Sequence, residues 1–189
     1  ESVIFCQGTG RDIGPYISKL AYSFGSPNKV TFGPLDGHAC FAPKVTALAA
    51  TTGAFEVADC AQFFPDRYEN PNWRMPKCIL IWGNNPLTSN PDGFMGYWII
   101  ECMKRGSEII VVDPRRTWLA TRAKVWMQIR PGTDGALALG MLNVIINEKL
   151  YDEEFIGKWT YGFDELKRRV QDYPLEKVSE ITWIPKEKI

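Results

Sequence analysis

The sequence predicts an α/β domain: a Rossmann-like, mostly parallel sheet with helices on both faces. Two unbroken apolar runs, Cys78-Ile79-Leu80-Ile81-Trp82 and Ile109-Ile110-Val111-Val112, have the pattern of parallel strands buried on both faces. Between them, about Gly93 to Arg105 has the length of a crossover helix and is closed by Gly106. The order strand, loop, helix recurs along the chain, which selects βαβ units.

The elements follow in order. Val3-Ile4-Phe5-Cys6 is a short strand-like run that ends in Gln7-Gly8-Thr9-Gly10. A helix is expected from Tyr16 to Phe24, closed by Gly25-Ser26-Pro27, and a second short strand from Lys29 to Phe32. Pro43 to Thr52 reads as a helix, with Pro near its start and Gly53 past its end. Glu56 to Lys77 is rich in Pro, Asn, Asp and aromatics and has no period, so a long surface loop is expected there. After the two central strands, Val125 to Ile129 is a third. It runs into Arg130-Pro131-Gly132-Thr133-Asp134 and then an apolar helix from about Gly135 to Asn147, with Thr133 or Asp134 as its N-cap. Beyond Tyr151 the chain is more polar and reads as helices packed on the outside. Residues 1–150 are thus expected to form the Rossmann-like domain, and residues 151–189 its helical tail.

Composition excludes several classes. Lys+Arg and Asp+Glu are equal at 22 each, so there is no electrostatic reason to expect nucleic acid or an anionic membrane surface as partner. The hydrophobic fraction of 45% is enough for a buried core. No apolar run approaches the ~20 residues that a membrane span needs. The chain opens on Glu1 with no charged-then-apolar leader and stops at Ile189 just after a turn-like stretch, so both ends are expected to continue into a longer protein. Cys6, Cys40, Cys60, Cys78 and Cys102 are widely spaced, without a C-x-x-C pair, so no all-cysteine zinc or iron–sulfur site is encoded locally. Most of these thiols, Cys78 and Cys102 among them, read as inert core residues.

Ligands of open parallel sheets bind beyond the carboxyl ends of the strands. Four predicted strand ends here carry small or polar residues: Gly8-Thr9-Gly10-Arg11, Gly83-Asn84-Asn85, Asp113-Pro114-Arg115 and Gly132-Thr133-Asp134. Glycine lets a ligand approach the backbone, Asn and Asp offer directional hydrogen bonds to a base or ribose, and helix N-termini favour phosphate. Ordinary strand-to-helix turns use the same residues, and that reading stays open here. Neither G-x-G-x-x-G after a strand nor G-x-x-x-x-G-K-[ST] occurs, which disfavours a standard NAD site or ATPase. Cys40 lies in Gly37-His38-Ala39-Cys40-Phe41-Ala42-Pro43, a turn leading into a helix. A helix N-terminus favours thiolate, the form a soft metal ligand or a nucleophile requires. His38, the single histidine, is two residues away. An inert cysteine and a structural histidine are the bland alternatives.

Several motifs in order make the chain familiar. Ile110-Val111-Val112-Asp113-Pro114-Arg115-Arg116-Thr117, then Ile129-Arg130-Pro131-Gly132-Thr133-Asp134-Gly135-Ala136-Leu137, then Leu150-Tyr151-Asp152-Glu153-Glu154-Phe155, resemble the molybdopterin oxidoreductases of the dimethyl sulfoxide reductase family. Trp82-Gly83-Asn84-Asn85-Pro86 resembles that family's G-x-N-P turn, and Tyr161-Gly162-Phe163-Asp164-Glu165-Leu166 its downstream helix. The resemblance covers nearly the whole chain.

The resemblance implies a parent enzyme that binds molybdenum or tungsten between two molybdopterin guanine dinucleotides. Cys40 falls where the family places its metal ligand, with His38 beside it as the second catalytic candidate. Gly8, Thr9, Gly83, Asn85, Thr88, Asp113, Arg115, Gly132, Thr133 and Asp134 would line the cofactor. The implied activity is two-electron redox or oxygen-atom transfer on a small substrate, in the cytoplasm or periplasm of a bacterium or archaeon. The other implied parts are a [4Fe–4S] cluster in an upstream segment, a second pterin domain downstream, and an iron–sulfur electron-transfer subunit as partner. Two alternatives are a non-catalytic electron-transfer scaffold like the large subunit of respiratory complex I, and a non-redox tungsten hydratase. The chain by itself is expected to fold without cofactor, with about Leu35 to Asn72 its least ordered part.

Overall fold

The computed structural model describes residues 3–7, 14–31, 42–54, 58, 60–61, 64–89 and 94–189. The chain divides into two compact units, Glu1–Asp59 and Cys60–Ile189.

In the first unit, β1 (Phe5–Gln7) and β2 (Lys29–Thr31) pair in parallel, Phe5 opposite Lys29, around the connecting helix α1 (Gly14–Phe24). Gly25 ends α1 at φ +84°, a conformation that costs glycine no steric penalty. Its amide and that of Ser26 return to the carbonyls of Tyr22 and Ala21. The Ser26 hydroxyl then donates to the Val3 carbonyl at 2.7 Å, tying the turn to the start of β1. The helix α2 (Ala42–Thr52) completes this unit.

The second unit is the better defined βαβ assembly. The strands β3 (Cys78–Trp82), β4 (Glu108–Val112) and β5 (Val125–Met127) form a parallel sheet in the order β3-β4-β5. Ile79 lies opposite Ile109 and Ile81 opposite Val111, while Ile110 faces Val125 and Val112 faces Met127. The short helix α3 (Pro86–Ser89) and the longer α4 (Phe94–Lys104) connect β3 to β4. Gly106, at φ +103°, ends that connection. The odd-numbered residues Ile79, Ile81, Ile109 and Val111 pack with Trp98, Ile99 and Cys102 of α4. On the other face, Val112 and Met127 pack instead with Leu137 of α5 (Asp134–Asn147) and with Ile184. Helices therefore cover both faces of the sheet, as the sequence predicts.

The structure corrects four expectations. β3 is an edge strand and only one of its faces is well buried: Leu80 is 45% exposed, and Cys78, expected in the core, is exposed as well. A continuous apolar run conceals which of its two faces a helix will reach. The stretch expected as a surface loop sends Cys60, Ala61 and Trp73 into the core beside Ile79 and Trp98. Thr133 stands at the N-cap of α5, but its hydroxyl donates to the Arg130 carbonyl at 2.7 Å instead of accepting from the helix. Finally, the polar tail is not merely external. It forms α6 (Glu153–Trp159), α7 (Phe163–Val170) and α8 (Leu175–Thr182), and it buries Val170, Val178, Thr182 and Ile184 completely. Most of its hydrophilic residues face out along amphipathic helices, while these four residues face in and Phe155, Trp159 and Trp183 stay exposed.

The helices α5 and α8 pack tightly at Gly140. A Cβ there would lie 2.8 and 2.9 Å from the two methyls of Val178. Gly140→Ala should therefore destabilise the protein by about 1–3 kcal/mol through overpacking. Gly135 on the same helix has nothing within 4 Å of its Cβ position. Gly135→Ala should be neutral or stabilising by up to about 1 kcal/mol. Denaturant unfolding of the two variants checks the contrast, and equal destabilisation would contradict the packing.

The described cysteines also divide. Burial pushes the Cys102 thiol up from its ordinary value, and Cys60 is buried too, whereas Cys6 and Cys78 are exposed. A thiol reagent at neutral pH should label Cys6 and Cys78 in the native protein and reach Cys60 and Cys102 only on unfolding, as peptide mapping would show.

Candidate functional site

The parallel register brings three strand-end turns to one edge of the sheet. The ladder continues one step past β3, where the Gly83 amide donates to the Val112 carbonyl at 2.9 Å. It also continues past β4, where the Asp113 amide donates to the Met127 carbonyl at 3.3 Å. A cavity of about 280 Å³ opens there. It is lined by Gly83, Asp113, Arg115, Gly132 and Asp134, together with Val112, Pro114, Ile129 and Pro131. Gly83 at φ +60° and Gly132 at φ +83° make left-handed turns, and a Cβ on either would meet nothing within 4 Å.

Asp113 is the most enclosed polar group of this wall, at 2% exposure. Its Oδ1 accepts from the Arg115 amide at 2.7 Å, so the loop of Asp113-Pro114-Arg115 holds the carboxylate. The Arg115 Nε lies 3.6 Å from the same oxygen, with the guanidinium in solvent. Asp134, in the first turn of α5, accepts from the Trp82 indole N–H at 2.7 Å. The wall thus presents carboxylate oxygens to N–H or O–H donors. Arg115 and the N-terminus of α5 offer positive potential for an anion.

Of the residues singled out in the sequence, Gly83, Asp113, Arg115, Gly132 and Asp134 come together. Asn85, Thr88 and Thr133 are not among the cavity's lining residues. The Asn85 carbonyl accepts the Thr88 and Ser89 amides, both at 2.9 Å, and so starts α3. The Thr88 hydroxyl donates to that same carbonyl. The Asn85 side-chain Oδ1 is buried without a hydrogen-bond partner among the described residues. Gly8, Thr9, His38 and Cys40 lie outside the described residues. Among the described residues no group of three or more His, Cys, Asp or Glu is placed to hold a metal ion.

Sequence reasoning missed Pro114, Pro131 and Trp82. Pro114 lies two residues beyond β4 and Pro131 four beyond β5, and their places in the strand-end turns were the available signal. Trp82 closes an apolar run, and nothing local distinguishes an indole that reaches Asp134 from one that fills the core.

Comparison with known proteins gives the family. A family model described as molybdopterin oxidoreductase matches residues 16–177, which include all three strand-end turns. Acetylene hydratase of Syntrophotalea acetylenica is 50% identical over 111 residues, covering 56% of this chain and 14% of that protein. Formate dehydrogenase H of Escherichia coli is 34% identical over 178 residues, covering 94% of this chain and 23% of that protein. The solved structure of acetylene hydratase from Pelobacter acetylenicus matches with a TM-score of 0.69 at 38% identity, over 88% of this chain and 20% of that one. The chain spans less than a quarter of the length of these relatives. With most of its length matched by the family model and its strand-end turns converging on one cavity, the chain belongs to the molybdopterin oxidoreductase family.

Proposed function

We propose that this chain forms the wall that grips the guanosine end of one of two pterin guanine dinucleotides in a molybdenum or tungsten enzyme. The observation that carries the reading is the convergence of Gly83, Asp113, Arg115, Gly132 and Asp134 on one cavity. Membership of the family implies a molybdopterin cofactor with molybdenum or tungsten. The residues present fit its nucleotide end. Asp113 is a desolvated acceptor suited to the donor edge of guanine or to a ribose diol, and the unpartnered Asn85 Oδ1 is a second acceptor that lacks a donor. Arg115 and the start of α5 would face phosphate oxygens. The open turns at Gly83 and Gly132 let a ligand approach the backbone. Thr88 and Thr133 would support the turns on either side, and Gly8 and Thr9 would add a further glycine turn.

When bound, the cofactor supplies two-electron redox chemistry, with oxygen-atom transfer to or from a small substrate among its outcomes. The chain's own contribution is to bind and orient the nucleotide, and to bring the Cys40 thiolate to the metal with His38 beside it. The remaining domains would supply the second pterin wall and a [4Fe–4S] cluster, with an iron–sulfur subunit as electron partner. The 50% identity to acetylene hydratase favours a second reading, hydration of a triple bond, which consumes no electrons. Turnover of acetylene by the full-length protein without an electron acceptor would select it over a redox reaction.

In the full-length protein, Cys40→Ala should abolish turnover, and X-ray absorption should find one sulfur fewer around the metal. Full activity would refute the assignment. Asp113→Asn should lower the bound pterin nucleotide, with affinity reduced roughly tenfold or more for the loss of a charge-assisted hydrogen bond. Unchanged cofactor content would refute the guanosine wall.

The 189-residue chain alone should carry no stoichiometric molybdenum or tungsten, because one wall leaves the phosphates in water, where each polar contact is weaker. Metal analysis of the purified chain checks this, and bound metal in equimolar amount would contradict the argument.

A further inference from the structure

We propose that a second cavity, next to the guanosine wall, binds a planar aromatic anion of the nucleotide type. It shares Pro114, Ile129 and Pro131 with the first cavity and has a volume of about 510 Å³, within the ~300–1,000 Å³ of small-molecule sites. Its remaining lining is Trp126, Gln128, Arg130, Trp183, Pro185 and Lys188. The two cavities have opposite chemistry. The first presents Asp113 and Asp134, whereas the second holds two cations and no acid.

Trp183 is the central observation. It ends α8 at φ +64° and ψ 12°, a left-handed conformation that bulky side chains rarely adopt and that glycine adopts freely. Its amide still closes the helix on the Ser179 carbonyl at 2.8 Å, so the turn itself needs no indole. The ring it carries is 68% exposed at the cavity, with the Arg130 guanidinium 5.0 Å from its centroid. A large aromatic ring kept where glycine would suffice, and left open to solvent, fits a stacking surface better than a packing element. The position of Arg130 is set by its own amide, which donates to the Thr182 carbonyl at 2.8 Å.

The opposite side of the cavity is equally fixed. The Trp126 indole N–H donates to the Asp113 carbonyl at 3.0 Å, which sets its ring plane. The Gln128 side-chain Nε2 donates to the Pro114 carbonyl at 3.1 Å. Lys188 reaches the Trp126 carbonyl at 3.4 Å. Among the described residues neither Arg130 nor Lys188 forms an ion pair with an acidic side chain. Two indoles with two uncompensated cations recognise a flat ring bearing a phosphate: the ring stacks, and the cations meet the anion.

The test is calorimetric titration of the 189-residue chain with AMP, adenosine and GMP. AMP lacks the guanine donor edge, and AMP binding that depends on Trp183 reads the second cavity. AMP should bind, and adenosine should bind more weakly. Trp183→Gly should weaken AMP roughly tenfold or more while the melting temperature holds or rises, since glycine suits the left-handed turn. Trp183→Asn, also tolerant of that turn, should act alike, so lost binding is separable from lost folding. Lys188→Gln should weaken AMP and leave adenosine unchanged. Failure of wild type to bind AMP, or AMP binding that survives Trp183→Gly, would overturn the proposal. The guanosine wall is read separately through GMP and Asp113→Asn. If GMP is lost with Trp183→Gly but retained with Asp113→Asn, this cavity is itself the guanosine site, and the proposal of a second site is overturned.

Discussion

A strand hydrogen-bonded along both edges and covered on both faces has almost no freedom left, and β4 is such a strand. It pairs with β3 through five residues and with β5 through three. Ile109 and Val111 go to the α4 side and Val112 to the α5 side, all at 2% exposure or less. Each such side chain contributes about 1.5–3 kcal/mol when fully buried, so sliding β4 by one residue would exchange its two apolar faces at large expense. The positions of Gly83, Asp113 and the turn before α5 follow from that register. The wall is therefore as rigid as the core beneath it, although every group that forms it lies in a turn.

This explains which parts were legible in the sequence. Ile109 to Val112 is apolar on both faces, and both faces are used, so the run alone announces a central parallel strand. Cys78 to Trp82 reads identically but is an edge strand, and helix cover stops short of Leu80 on its second face. That limit is set by helix placement, which no local pattern encodes. The stretch from Cys60 to Trp73 has no period because it contributes isolated anchors to the core and not a face. For the tail, Gly140 of α5 is the cue: a glycine inside an apolar helix is unfavourable unless something must come close, and Val178 does. Its partner lies 38 residues on, beyond the reach of any window.

The site divides in the same way. Strand-end Gly and Asp residues were readable because parallel sheets confine ligands to that edge. Asn85, Thr88 and Thr133 share the same turns, yet the structure gives the backbone of Asn85 and the two hydroxyls local duties in starting α3 and shaping the turn before α5. Residue type identifies the turn, while the direction of each side chain depends on hydrogen bonds made only after the helix has formed. The buried, unpartnered Asn85 Oδ1 is the informative exception, since local geometry leaves it an acceptor with no donor.

Proline makes this edge of the sheet stiff. Pro114 and Pro131 line both cavities, and a fixed φ at each leaves the turns after β4 and before α5 little room to adjust. Trp126 adds a further constraint, since one hydrogen bond ties its ring to the carbonyl of the very residue whose carboxylate faces the first cavity. On the remaining side, the Arg130 amide is held by Thr182, whose own hydroxyl donates back to Val178 at 2.7 Å within the buried end of α8. The tail that looks peripheral in composition thus braces the turn that carries Gly132 and Asp134. Its packing against Gly140 braces the wall from that side, so stability and the proposed cofactor site depend on one contiguous set of contacts.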